Sequence, residues 1–96
     1  MFAVALRDSP PPAEPAVLAL MVLAHVAGDD VMGPRFLDLT GMDSASLRAQ
    51  ADQPETLAAV LGYLMANEHD LVATADAIGV KPEALALAAR KLGSDW

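Results

Sequence analysis

Cysteine is absent from the 96 residues, so the chain has no disulfide framework, thiolate nucleophile or thiolate metal site. Aromatic residues are scarce, at 4% against a hydrophobic share of 54%. The core must therefore be filled mainly by Leu, Val, Met and Ala, side chains that suit close helix packing better than a pleated surface. Basic residues are few: 6 Lys and Arg stand against 13 Asp and Glu, a net charge of −7. Such a balance repels phosphate backbones and anionic membranes at long range. The longest apolar run, Ala16 to Val26 broken by His25, falls short of the roughly 20 residues of a membrane span. No basic region precedes the apolar start Met1-Phe2-Ala3-Val4-Ala5-Leu6, and Ser9-Pro10-Pro11-Pro12-Ala13 follows. It does not read as a secretory signal, and cytoplasmic residence is expected. No segment alternates apolar and polar residues with period two, so no sheet is expected.

What the chain does contain is one helical signature written twice, Leu39-Thr40-Gly41-Met42-Asp43-Ser44-Ala45-Ser46-Leu47 and Ala77-Ile78-Gly79-Val80-Lys81-Pro82-Glu83-Ala84-Leu85. In each copy an apolar helix end meets a glycine, then an apolar residue, a helix-start residue, and a leucine six positions after the glycine. These are the marks of helix, tight turn, helix. The glycines stand 38 positions apart, at 41 and 79, a spacing found in helical-repeat arrays, but two copies do not make a solenoid. They read as two α-hairpins built by the same local rules.

Along the chain, the triple proline makes residues 1–13 a flexible arm, and residues 14–96 a single helical domain. Glu14-Pro15 opens a first helix running to about Gly28, with Val17, Leu18, Leu20, Met21, Val22, Leu23 and Val26 around its circumference. A helix apolar all round is central or covered by a partner. Asp29 and Asp30 are N-cap candidates for a second helix ending at Thr40, with Phe36, Leu37 and Leu39 available for burial. Asp43 or Ser44 caps a short third helix. Pro54 starts a fourth, whose Leu57, Val60, Leu61 and Leu64 recur at helical spacing. Asn67-Glu68-His69-Asp70 starts a fifth with Leu71, Ala75 and Ile78 on one face. Pro82 opens a sixth with the stripe Leu85, Ala89 and Leu92, closed by Gly93. The predicted fold is all-α, with five or six short helices packed as helical hairpins around an apolar first helix.

Little in this pattern carries chemistry. The second hairpin, residues 70–93, fits the shape of a helix-turn-helix: Ala75 at the crossing, Gly79 in the turn, Val80 after it, Leu85 and Ala88 as core positions. Its second helix, however, offers only Lys81, Arg90 and Lys91 for nucleic acid, with Glu83 near the tip where bases are read. Glu68-His69-Asp70 reads as a solvated capping turn, because consecutive helical residues point about 100° apart and do not converge on a metal or proton. His25 lies alone in an apolar helix. The serines at 9, 44, 46 and 94 lack a triad or nucleophile elbow, and no phosphate-binding glycine loop is present. Neither catalytic residues, metal ligands nor a cofactor are expected, and an enzyme is not the reading.

Taken in order, Arg35-Phe36-Leu37-Asp38-Leu39-Thr40-Gly41-Met42, Leu47-Arg48, Pro54, Val60-Leu61, Leu64, Glu68, Leu71, Ala75 and Pro82 resemble a bacterial family of small uncharacterised proteins, the domain of unknown function 3572. The resemblance spans most of residues 16–93. It departs from the family's pattern at Asp30-Val31-Met32-Gly33-Pro34. It implies a small helical cytoplasmic protein, with no activity or ligand to carry over. Arg35 and Arg48 stand in the matching segments as the polar positions of interest. They have two readings: structural, bonding carbonyls near Thr40 and Gly41 or pairing with Asp38 or Asp43; or functional, anchoring a partner surface. The expected function is a noncatalytic protein-interaction module, an adaptor or regulator binding a protein partner or a second copy. The alternative is DNA binding through residues 70–93.

Overall fold

A computed structural model describes residues 14–93; the arm expected over residues 1–13 lies outside them. Among the described residues there are six helices and no strand: α1 (Pro15–Gly28), α2 (Met32–Thr40), α3 (Ser44–Ala49), α4 (Pro54–Met65), α5 (Glu68–Ile78) and α6 (Pro82–Gly93). The all-α, hairpin-built fold read from the sequence is the fold observed.

The helix boundaries follow from side-chain chemistry. Proline opens α1 and α4 in the first turn, where its missing amide costs nothing. The Asp29 carboxylate accepts the amides of Val31 and Met32 at 2.9 and 2.8 Å and so caps α2. Asp30, the other candidate, is exposed and makes no such contact. Asp43 caps α3 by accepting the Ser46 amide at 2.7 Å. Gly41 and Gly79 end α2 and α5 in left-handed conformations, φ 74° and 79°, which glycine adopts without steric cost. The Gly41 amide bonds the Leu37 carbonyl, whereas after α5 the amides of Val80 and Gly79 return to Ala75 and Asp76 as a Schellman motif. The repeated signature is thus one stop rule with two continuations, a 6-residue α3 and a 12-residue α6. Leu47 and Leu85, each six residues past its glycine, are both buried.

The core is arranged around α1, which packs against α2, α4, α5 and α6. Leu18, Ala19, Val22, Leu23 and Val26 are buried there, facing the full α4 stripe of Leu57, Val60, Leu61 and Leu64. Phe36 enters from α2 and meets the Tyr63 ring edge-on, centroids 6.0 Å apart at 66°, the geometry the ring quadrupoles favour.

Two details differ from the sequence reading. Leu39 is 69% exposed, because α2 inserts Met32, Gly33 and Phe36 instead. On α5, Asp70, Thr74 and Ala75 are buried while Leu71 and Ile78 are only partly so; the polar members are admitted because each has a partner. Thr74 donates to the Met32 sulfur at 3.6 Å. In keeping with a helix apolar all round, α1 is central yet carries more apolar surface than the core covers: Ala16, Leu20, Ala24 and Ala27 form an exposed row, with Leu20 at 41%.

Gly33 allows α2 to cross the end of α1, which it meets at a bend of 108°. A Cβ at this position would lie 3.2 Å from both the Val26 and Ala27 carbonyl oxygens, whereas a Cβ at Gly62 would meet nothing within 4 Å. In urea denaturation, Gly33→Ala is expected to destabilise by about 1 kcal/mol as overpacking outweighs the helix-propensity gain. Gly62→Ala should stabilise by about 0.5–1 kcal/mol.

Candidate functional site

Two features stand out, one polar and internal, the other a mainly apolar groove at the surface. The internal one joins three helices. Tyr63 on α4 donates its hydroxyl to Asp70 on α5 at 2.6 Å, and Arg35 on α2 approaches the same carboxylate oxygen at 3.4 Å. The Asp70 side chain is 11% exposed and that of Arg35 57%. The short phenol bond is therefore the structural contact, and the guanidinium closes the site from solvent at the outer limit of hydrogen-bond length. Asn67 continues the tie by donating its side-chain amide to the Tyr63 carbonyl at 2.8 Å. Burial first, then the bond to Asp70 and the aspartate's charge, push the Tyr63 phenol above its ordinary 10.0. A phenol held neutral and committed to a carboxylate is a fastener between helices.

This corrects two readings. Arg35 pairs with Asp70, not with Asp38, Asp43 or the carbonyls near Thr40 and Gly41. Those carbonyls are served locally: the Thr40 hydroxyl bonds the Phe36 and Leu37 carbonyls and accepts the Met42 amide. Asp70, read as part of a solvated capping turn, is buried; Glu68 and His69 are exposed as that reading has it. The sequence signal for the pair is Tyr63, an aromatic with a polar handle near the end of one helix, seven residues before an aspartate in the first turn of the next. Sequence reasoning passed over it because it flanks the α4 leucine stripe.

The surface feature is a groove of about 540 Å³ between α1, α2 and α3. Leu20, Leu23, Ala24, Ala27, Leu37 and Leu47 make its apolar walls, so it is bounded by the α1 row left open by the core. Arg48 on α3 borders it, as do Asp29 and Asp30 at the α1–α2 turn. Arg48 is exposed and, among the described residues, makes no hydrogen bond or ion pair. Arg35 and Arg48 therefore do not converge: one is tied to α5 and the other flanks the groove.

The three cations of the C-terminal hairpin do not share one site either. Lys81 and Lys91 border a groove of about 430 Å³ beside Pro15, together with Glu83 and Leu87. Arg90 borders a different one, of about 590 Å³ and walled mostly by the alanines and glycines of α4 and α6. Among the described residues no cluster of three or more His, Asp or Glu is placed to hold a metal ion, and no single helix is long and apolar enough to cross a membrane.

A family model matches residues 12–95, which takes in the whole of this arrangement. The chain belongs to the family described as Protein of unknown function (DUF3572). Neither a curated protein nor a solved structure matches it. In this DUF3572 chain, the match takes in both the Tyr63–Asp70–Arg35 tie and the α1–α2–α3 groove.

Tyr63→Phe should destabilise the fold by about 1–3 kcal/mol, the cost of leaving a buried carboxylate with only the long Arg35 contact. Arg35→Ala should cost no more than about 1 kcal/mol, because the pair is long and partly in water. Tyr63 is the sole tyrosine, so its phenolate absorbance reports a single titration, expected above 10.0. Since the folded phenol's pKa is raised, its stabilising contribution is full below the unfolded value and lost as pH rises through the folded one. The opposite holds in acid. Asp29 is held below 3.8 by the Met32 and Val31 amides, and Asp43 by the Ser46 amide. Their capping contribution is present above the unfolded carboxylate value and lost as pH falls through the folded one. Urea midpoints measured across pH check both arms.

Proposed function

We propose that this protein is a noncatalytic interaction module, an adaptor or regulator working in the cytoplasm, whose receiving surface is the groove between α1, α2 and α3. The observation that carries the reading is the exposed row Ala16, Leu20, Ala24 and Ala27 on the most central helix of the core. An apolar row left open where a polar one would serve solubility favours a second molecule. The groove's size, about 540 Å³, falls in the range of a binding cleft. Its lining supports recognition over reaction: apolar walls, one serine, one arginine and two aspartates, of which Asp29 is already occupied as a helix cap.

The second reading, a helix-turn-helix over residues 70–93, is favoured by the buried Ala75, Leu85 and Ala88 and the left-handed Gly79. Those features serve a packed hairpin equally well. The division of Lys81 and Lys91 from Arg90 between two grooves leaves no single basic face for a duplex.

Affinity capture from host lysate, run with and without nuclease, separates the two. A stoichiometric protein retained by the wild-type chain should be lost by Ala24→Trp, which lays an indole across the groove from an exposed helix position and should leave the melting temperature within a few degrees. Retention of the same partner by Ala24→Trp would remove the groove from the reading. Recovery of nucleic acid alone, lost on Lys81→Ala with Lys91→Ala and on added salt, would establish the second reading.

A further inference from the structure

We infer that the groove takes an amphipathic helix from a different protein, seating apolar side chains along α1 and presenting a carboxylate to Arg48. This deepens the interaction-module reading and rests on it. The shape argument begins with the row itself. Leu20, Ala24 and Ala27 stand four and three residues apart on one face of α1, and such a row forms one side of the furrow into which a second helix packs its ridge. From Leu20 to Ala27 the row is roughly 10 Å long at 1.5 Å per residue, the length of two helical turns. The alanines leave room for large side chains of the occupant, with Leu20, Leu37 and Leu47 as the surfaces those side chains meet.

The charge argument chooses the occupant's chemistry. Arg48 is the only basic residue among those lining the groove, and it has no polar partner among the described residues. A planar guanidinium beside an apolar wall is matched by a carboxylate, which it can bind through two parallel bonds. Asp29 and Asp30 make the α1–α2 turn the acidic end of the groove, so an occupant's carboxylate is directed toward α3 and the helix acquires an orientation. A second copy of this chain suits the groove poorly, because each copy brings a net charge of −7 and self-association sets like charge against like.

The test uses the full chain and a phage-displayed library of randomised amphipathic helices. Enriched helices are expected to share an acidic residue at fixed spacing from their apolar anchors and to lose binding to Ala24→Trp. They should bind Arg48→Glu at least tenfold more weakly, and replacing their acidic residue with lysine should recover binding to Arg48→Glu. Thermal melts of both variants within a few degrees of wild type show that the fold is intact. Failure to enrich any helix, or enrichment of helices that bind Ala24→Trp as well as wild type, overturns the inference. So does groove binding that ignores both Arg48→Glu and the acidic residue. In each of these cases a lysate partner still lost on Ala24→Trp leaves the interaction module standing, with an occupant of other chemistry; a partner insensitive to Ala24→Trp removes the module's groove itself.

Discussion

The burial of α1 is the constraint from which the rest of the molecule follows. A helix that carries Val17, Leu18, Leu20, Met21, Val22, Leu23 and Val26 around its circumference has no face that water stabilises, and each large side chain left exposed forgoes about 1.5–3 kcal/mol. Four helices close on it, α2, α4, α5 and α6. They are short, because so few residues must turn back repeatedly to cover one central cylinder. Each reversal therefore needs an efficient stop and start, and the Asp29 and Asp43 caps and the left-handed glycines at 41 and 79 supply them. Gly33 is part of the same demand: α2 turns sharply off the end of α1, and only a residue without a Cβ lets its backbone cross the α1 carbonyls without pushing on them.

An apolar core of Leu, Val and Ala gathers helices without fixing how they are set against one another, since such side chains repack with small cost. The Tyr63–Asp70 bond supplies the missing direction. A carboxylate that enters the core must find its donor or be penalised, so α4 and α5 are held in the one arrangement where the phenol reaches it. Arg35 then brings α2 to the same point, and Phe36, the next residue, packs its ring against Tyr63. Polar and aromatic contacts thus act on one small junction of α2, α4 and α5. That leaves α3 as the helix least bound to the centre, holding to the core through Leu47.

The architecture was legible in the sequence because its signals are local. Proline at the first helical turns, aspartate as cap, glycine after the last turn and the Leu57, Val60, Leu61, Leu64 stripe each declare themselves within a few residues. Leu39 and the buried face of α5 were misread because exposure depends on which helix lies opposite. The partners of Arg35 were misread for a related reason: Asp70 lies 35 residues away, and nothing near either residue announces the other. Of the candidate groove, the sequence disclosed the cause, an α1 with more apolar surface than its neighbours cover. It did not disclose the place, which is set by the turn of α2 at Gly33 and by where α3 comes to rest.

Those two observations together explain why the open row of α1 lies where it does. The α2–α4–α5 junction is pinned by the phenol, the carboxylate and the ring contact, so the side of α1 facing it is closed. The groove lies between α1, the outward side of α2 and α3. The groove thus has a floor held from several sides, because α1 packs against α2, α4, α5 and α6, and a wall, α3, that is short and tied to the core through Leu47. Loosely held elements are the ones that shift at low cost when a ligand arrives. Arg48 sits on that wall and not on the floor, so under the proposed reading a partner that engages the guanidinium also engages the helix least bound to the centre.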